Sequence, residues 1–185
     1  MICLVGRLVP IKRPDLAVEA FAAARERDPR LRLTIVGDGE LRRSVEARIA
    51  RLGLGDAVTL LGYRHDMTRI AAAADIALIS SDNEGTPVWL IEAAAGGCAL
   101  VTTDVGGVRE VVGEGAGEIA PAGDAAALGA ALARAATRAP AMGLCAREHV
   151  RERYAAARLV EDIDVLYREL LNARAARQLL SRPAC

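Results

Sequence analysis

Two carboxylates separated by seven residues are the first groups in this sequence that could do chemistry. Glu84 lies just before a predicted helix, and Glu92 lies about one and a half turns inside it. This spacing lets one carboxylate face a sugar of a bound ligand while the other faces a ribose, because a carboxylate accepts hydrogen bonds from vicinal hydroxyl groups. The alternative is that Glu84 is a loop charge and Glu92 a helix-surface residue.

A pair of cations follows the first predicted strand. Arg7 and Lys12 are five residues apart in a loop that begins at Gly6. If this loop folds back, both side chains reach one diphosphate, which the planar guanidinium of Arg7 can hold through two hydrogen bonds. A charged pair in a surface loop is also typical of a solvated face, but the position after the first strand favours binding.

The loop of residues 80–87 combines hydroxyls, a glycine and a carboxylate. Pro87 is predicted to occupy the first position of the next helix, with Gly85 and Thr86 directly before it. Free N–H groups at a helix N-terminus bind anions. This loop is therefore the most informative candidate for contacts with a phosphate or a sugar.

Other ligand motifs are absent or weak. The pattern G-x-x-x-x-G-K-[ST] does not occur, and Gly37-Asp38-Gly39 lacks the third glycine of a dinucleotide fingerprint, since Arg42 stands there. The triplet is better explained as a tight turn between a strand and a helix. Asp162 and Asp164 form a D-x-D pattern, but they lie in a predicted helix, which favours a solvated face over a metal site.

Short apolar runs alternate with longer segments of helical period between these loops. The runs predict strands at Ile2–Val5, Leu31–Val36, Val58–Leu60, Ile76–Ile79, Ala99–Val101 and Gly117–Ile119. The longer segments predict helices at Pro14–Arg27, Glu40–Leu52, Met67–Ala73, Val88–Ala95, Ala125–Arg138, Ala141–Tyr154 and Ala156–Ala176. We therefore expect an α/β fold: one Rossmann-like, doubly wound parallel sheet with C-terminal helices.

In such a fold the candidate loops meet at the carboxyl ends of the strands, where ligands bind. We expect residues 1–155 to form this domain. Residues 156–185 are expected to form a helical tail that packs on the domain or on an N-terminal domain outside this chain. In this tail Leu159, Ile163, Leu166 and Leu170 form an apolar stripe, widened by Val160, Tyr167 and Leu171.

Composition excludes several classes of protein. The 24 basic and 24 acidic side chains cancel, so no broad positive field indicates a nucleic-acid partner. No apolar run approaches the ~20 residues that span a bilayer, and the first residues lack the basic region of a signal peptide. Cys3, Cys98, Cys145 and Cys185 have no metal-site spacing. We expect buried, reduced thiols in a cytoplasmic protein.

These residues resemble the family-4 retaining glycosyltransferases, whose fold pairs two Rossmann-like domains (GT-B). The resemblance extends over nearly the whole chain and rests on several motifs in the family's order. They are Gly6-Arg7 followed by Lys12, Val36-Gly37-Asp38-Gly39, Leu61-Gly62-Tyr63, Glu84-Gly-Thr-Pro-Val-Trp-Leu-Ile-Glu92, Asp104-Val-Gly106-Gly107-Val-Arg-Glu110 and Pro121-Ala-Gly-Asp124. Departures are Ala94, where the family commonly has methionine, and Ala99, where it commonly has proline.

The resemblance implies a role for each matching residue. Arg7 and Lys12 would neutralise the leaving diphosphate, and Glu84 would bind the donor sugar. The backbone of Gly85 and Thr86 would meet sugar and phosphate, and Glu92 would bind the ribose. Further positions implied at the nucleotide are Gly6 and Pro87 and, around the base, Tyr63 and Arg64. The reaction would need no metal and no other cofactor.

The resemblance also implies partners. The donor would be a nucleotide diphosphate-sugar, and an N-terminal acceptor domain would lie outside this chain, with any peripheral membrane contact made through that domain. Without it the chain would bind nucleotide but transfer no sugar, and it would expose its apolar tail stripe or bury it by self-association. Two alternatives stay open: half of a sugar-nucleotide epimerase or glycoside phosphorylase, or a non-catalytic nucleotide-binding module.

Overall fold

The computed structural model describes residues 1–180, with side chains described up to residue 173. Six strands form its sheet: β1 (Ile2–Val5), β2 (Leu33–Val36), β3 (Val58–Gly62), β4 (Ile76–Ile79), β5 (Ala99–Thr103) and β6 (Gly117–Ala120). Every run predicted as a strand is one. β2 begins two residues later than predicted because the N–H of Leu31 donates to the carbonyl of Asp28 at 3.1 Å and closes a turn.

The strands lie in the order β3-β2-β1-β4-β5-β6, and every pairing is parallel. This is the order of a doubly wound sheet whose direction of winding reverses between β1 and β4. The predicted α/β fold is confirmed. The reversal leaves a crevice where the loops after β1 and β4 diverge, so those two loops are placed to bind a ligand.

Seven helices are described: α1 (Pro14–Arg27), α2 (Arg42–Arg51), α3 (Met67–Ala73), α4 (Val88–Gly96), α5 (Val108–Val112), α6 (Ala125–Arg153) and α7 (Ala156–Leu180). A short 3-10 turn, Pro10–Lys12, precedes α1. α1 packs against α2, and α3 packs against α4. The sequence analysis missed α5, because five residues are too few to show a helical period.

The predicted break near Pro140 is wrong, since α6 is one helix with Pro140 inside it. Proline removes a backbone hydrogen bond from a helix interior, but tertiary packing holds α6 on both sides. Gly129 lies against the carbonyl of Ala20 in α1, and Gly143 lies so close to the carbonyl of Gly97 that no Cβ would fit. With these two contacts α6 stays one continuous helix, although Pro140 removes a backbone hydrogen bond.

The core contains two of the predicted buried thiols. Cys3 and Cys98 are buried and free. Burial raises the pKa of Cys3 to about 12 and that of Cys98 to about 11, so both stay protonated at neutral pH. Cys145 is free but exposed, contrary to expectation. Cys185 lies outside the described residues.

The chain divides into two compact units, Met1–Val150 and Arg151–Cys185. The first contains the sheet. In the second, the stripe residues of α7 are exposed, from 42% at Ile163 to 66% at Val160. No described helix is long and apolar enough to cross a membrane.

Candidate functional site

Buried hydroxyl groups mark the carboxyl edge of β4 and β5. Among the described residues, the buried polar ones are Ser80, Ser81, Thr102 and Thr103. Buried hydroxyls require partners. Thr103 Oγ1 donates to the carbonyl of Ser81 at 2.7 Å, and Thr102 Oγ1 donates to the carbonyl of Thr103 at 3.0 Å. This hydrogen bonding ties the end of β5 to the loop after β4.

The loop after β1 is fastened to the loop after β4. We call residues 6–13 and 80–84 together the β1–β4 clamp. Ser80 Oγ lies 2.9 Å from the carbonyl oxygen of Lys12 and 2.8 Å from that of Arg13. The N–H of Asp82 donates to the carbonyl of Ile11 at 2.9 Å. The predicted folding back of the first loop is therefore built from contacts to the second.

An ion pair lies inside the clamp. Lys12 Nζ is 2.7 Å from Glu84 Oε1, and the side chains are 30% and 10% exposed. Ser81 Oγ donates to the same oxygen at 2.6 Å. All three residues line a small cavity together with Gly6 and Arg7. The structure thus brings together the predicted cations and the first predicted carboxylate.

Arg13 supports the clamp from an unusual backbone conformation. Its φ is +46°, the only positive φ among the described residues other than glycine, a region that costs about 1–2 kcal/mol for a residue with a Cβ. Its guanidinium pairs with Asp15 and with Asp82, each at 3.2 Å. Burial alone would raise the pKa of Asp15, but the hydrogen bond and charge of Arg13 hold this pKa below its ordinary value.

Arg7 is the charged group of the first loop that is left for a ligand. Its side chain is exposed, and within the described residues it forms no ion pair. It lines the small cavity beside Lys12 and also the neighbouring cleft at the ends of β2 and β3. An anion that bridges these two spaces would meet its guanidinium.

Two glycines in the loop after β5 let that loop pack closely against the backbone of the clamp. Gly106 has φ +52°, and a Cβ there would overlap the carbonyl oxygen of Glu84. The N–H of Gly107 donates to the carbonyl of Gly85 at 3.1 Å. The backbone at Glu84 and Gly85 is therefore fixed by close approach of a neighbouring loop, which only glycine allows.

The start of α4 differs slightly from the prediction. Pro87 is the N-cap, and the helix begins at Val88, because Pro87 has an extended ψ of 99° that is not helical. No side chain caps the helix, so first-turn N–H groups stay available to a ligand. Gly85 and Thr86 are exposed just before it.

A second space, the β2–β3 cleft, adjoins the clamp. Its volume is about 330 Å³, and its lining includes Arg7, Asp38, Tyr63, Arg64 and Met67. The Tyr63 ring is 73% exposed. The predicted residues Tyr63 and Arg64 therefore lie in one cleft, which Arg7 links to the clamp.

Arg64 is paired locally. It binds both carboxylate oxygens of Asp66, at 2.8 and 2.7 Å. This hydrogen bonding raises the pKa of Arg64 and lowers that of Asp66. The ring of Tyr63 lies edge-on to that of His65, with centroids 4.9 Å apart. Each contact spans two positions of one loop, so these contacts tie the loop to no other element.

Glu92 lies apart from Glu84. It is exposed on α4 and lines a groove of about 470 Å³, the α3–α4 groove, with Thr68 and Arg147. Met67 lines both this groove and the β2–β3 cleft. The structure thus places the two predicted carboxylates in different cavities.

The D-x-D pattern forms helix-surface ion pairs, as the sequence analysis favoured. Asp162 pairs with Arg158 and Asp164 with Arg168, each one helical turn away on α7. Within residues 1–173, whose side chains the structure describes, no group of three or more His, Cys, Asp or Glu side chains could hold a metal ion.

Sequence reasoning missed three residues that build the site: Ser81, Arg13 and Gly106. Gly106 carried a signal, because two consecutive glycines in the loop after a strand indicate close approach of another backbone. Ser81 and Arg13 carried none, since serine and arginine are ordinary loop residues. Their roles depend on contacts between loops that are distant in sequence.

Known proteins share the sequence pattern and the fold of this chain. The family model described as glycosyl transferases group 1 matches residues 1–149. An exopolysaccharide phosphotransferase of Streptomyces coelicolor is 39% identical over 136 residues, which cover 72% of this chain and 14% of that protein. A D-inositol 3-phosphate glycosyltransferase of Saccharomonospora viridis is 32% identical, over 94% of this chain and 43% of that protein.

Among solved structures, Anabaena HepE in complex with UDP-glucose shares the fold, with a TM-score of 0.82 and 24% identity. The match covers 91% of this chain and 48% of that one. The chain therefore spans less than half the length of each of these three proteins.

Proposed function

The chain belongs to the glycosyl transferases group 1 family, and on that premise we propose that it is the donor-binding half of a retaining enzyme. The enzyme would move a sugar from a nucleoside diphosphate-sugar to an acceptor. The observation that carries this proposal is the β1–β4 clamp. It holds Lys12 and Glu84 2.7 Å apart at the point where the winding of the sheet reverses, with Arg7 exposed beside them.

In the proposed mechanism the clamp stabilises the leaving group. When the bond between sugar and diphosphate breaks, negative charge develops on the phosphate oxygens. Lys12, which Glu84 holds in place, and the exposed Arg7 would neutralise this charge, and donors positioned in advance stabilise such a transition state. The ammonium of Lys12 has three donors, so it can keep its bond to Glu84 while it binds a phosphate oxygen.

The remaining predicted residues would bind the rest of the donor. Glu84 would accept hydrogen bonds from the sugar hydroxyls, and the backbone of Gly85 and Thr86 would meet the sugar and phosphate beside the start of α4. The base would occupy the β2–β3 cleft beside Tyr63 and Arg64. Support for a nucleotide of this kind comes from HepE, which shares the fold and binds UDP-glucose.

Glu92 would bind the ribose, which must then lie between the β2–β3 cleft and the α3–α4 groove. The placement of Met67 in the lining of both supports this position. Ribose is present in every bare nucleotide, whereas the donor sugar is not. The two carboxylates would therefore act on different parts of the donor.

The acceptor would be held by an N-terminal domain that this chain does not contain. The chain covers 43% of the glycosyltransferase relative and 48% of HepE, which supports the presence of such a domain in the whole enzyme. We therefore expect the 185-residue chain to bind nucleotide without transferring a sugar to any acceptor.

Calorimetric titration with UDP, GDP and ADP tests the proposal. We expect one of the three to bind, and Glu92→Ala to weaken its binding by about 1.5–3 kcal/mol through the lost charged hydrogen bonds. Glu84→Ala should weaken binding of this bare nucleotide less, because the donor sugar is absent and only the contact of Glu84 with Lys12 is lost, and it serves as the comparison variant. No binding of any of the three at millimolar concentration would contradict the proposal, and equal effects of the two variants would contradict the division between ribose and sugar.

A further inference from the structure

Ser81 makes a contact that no role proposed above uses. Its Oγ lies 2.6 Å from Glu84 Oε1, the same oxygen that Lys12 Nζ approaches at 2.7 Å. Ser81 is 2% exposed and the Glu84 side chain is 10% exposed. The contact is thus shielded from water, where a hydrogen bond to a charged group is stronger than a neutral one.

The direction of this hydrogen bond is fixed by chemistry. An ionised carboxylate only accepts, so the Ser81 hydroxyl must donate its single proton to Glu84. Two donors then occupy Oε1. Within the described residues Oε2 accepts no hydrogen bond, so it is the oxygen left to accept one from a ligand hydroxyl.

The position of Ser81 is set by the sheet. Its carbonyl accepts a hydrogen bond from Thr103 Oγ1 at 2.7 Å, and Thr103 is itself buried at the end of β5. The serine is therefore held in place before any ligand arrives, and the orientation of the Glu84 carboxylate follows from it.

We propose that Ser81 is a positioning residue for the donor sugar: it orients Glu84 so that Oε2 faces the sugar hydroxyls. This inference rests on the proposed function, in which Glu84 binds the sugar. It adds that the affinity for the sugar depends on a hydroxyl that does not touch the sugar.

The neighbouring Ser80 provides a matched control. It is equally buried, but its Oγ bonds to the backbone carbonyls of Lys12 and Arg13 and makes no contact with Glu84. Loss of this hydroxyl disturbs the loop that carries Lys12, which would bind the diphosphate. Ser80→Ala should therefore weaken bare and sugar-bearing nucleotides alike.

The test is calorimetry on the full chain with two probes: whichever of UDP, GDP and ADP the wild type binds, and the glucose conjugate of that nucleotide. For Ser81→Ala we expect affinity for the conjugate to fall about tenfold, the order of one charged hydrogen bond. The affinity for the bare nucleotide should stay within about twofold of the wild-type value, which is the error with which the effects of independent sites add. Ser81→Thr keeps the hydroxyl and should restore the affinity for the conjugate.

Any other result would contradict the role of Ser81, the proposed function or both. Equal weakening of both probes, no weakening of either, or failure of Ser81→Thr to restore binding would overturn the inference and leave the proposed function standing. A wild type that binds no nucleotide would overturn both. If Ser81→Ala does not fold, as judged by circular dichroism, Ser81→Cys keeps the size with a weaker donor and should show the same selective loss.

Discussion

The β1–β4 clamp and the β2–β3 cleft lie side by side but are built in opposite ways. The clamp contains ion pairs between residues that are distant in sequence: 72 positions separate Lys12 from Glu84, and 69 separate Arg13 from Asp82. In the cleft the charged partners are local, since Arg64 and Asp66 are two positions apart. These ion pairs of the clamp are therefore imposed by the fold, whereas the ion pair of the cleft forms within a single loop.

This difference matches what each part would bind. A diphosphate leaving group has the same chemistry whatever base it carries, so its charges can be met by groups fixed in advance. A base is recognised by shape and by a few hydrogen bonds, and an exposed loop can adapt to it. We infer that catalysis depends on the rigid clamp and that base preference depends on the local loops.

The largest effect should come from the glycine that braces the clamp. Gly106→Ala should destabilise the protein by more than about 3 kcal/mol, because its Cβ overlaps the Glu84 carbonyl and its positive φ is strained as well. Gly62→Ala, at φ +66° beside the cleft, has only the side chain of Arg42 nearby and should lose about 1–2 kcal/mol. Urea unfolding measures both, and equal losses would show that the clamp is no more rigid than the cleft.

The next largest effect should come from removing one cationic side chain, and it should be larger in the clamp than in the cleft. Lys12→Ala should weaken nucleoside diphosphate binding by roughly 10- to 100-fold, since it removes a charged contact and leaves Glu84 without its counter-charge. Arg64→Ala should weaken it by less than about threefold, because Arg64 is exposed and already paired with Asp66. Calorimetry at constant salt compares them. A larger effect of Arg64→Ala would reverse the assignment of the two parts.

The smallest effect should be on the way the free energy of unfolding changes with pH. The pKa of Asp15 is held below its ordinary value by Arg13, so this pair stabilises the folded state above the unfolded pKa of about 3.9 and is lost as pH falls through that range. Asp15→Asn should cost about 1 kcal/mol at pH 7 and progressively less as the pH falls below about 3.9, toward the lowered pKa of the folded state. Asp66→Asn changes a pair in the cleft whose arginine is more exposed, 46% for Arg64 against 30% for Arg13, and should change the curve of stability against pH less. Urea unfolding from pH 2 to 7 distinguishes them.

The same contrast explains what could be predicted from the sequence. The strands could be predicted from apolar runs in the sequence. Glu84, Arg7 and Lys12 could be predicted as site residues, because they are charged side chains in the loops that follow those runs. The pairing of Lys12 with Glu84 could not be predicted, because it arises where loops distant in sequence meet. The hydrogen bond from Ser81 to Glu84 lies within one loop, but an ordinary loop serine gives no signal of it. Local pattern also failed at Pro140, where packing of α6 against two other helices overrides the tendency of proline to end a helix.

The most direct test of the account compares a nucleoside with its diphosphate. For the base that the wild type prefers, the diphosphate should bind at least about 100-fold more tightly than the nucleoside, because the clamp adds charged hydrogen bonds. In Arg7→Ala/Lys12→Ala this ratio should fall below about 10, while the affinity for the nucleoside is unchanged. A ratio that is the same in the wild type and the double variant would contradict the claim that the clamp is the diphosphate site.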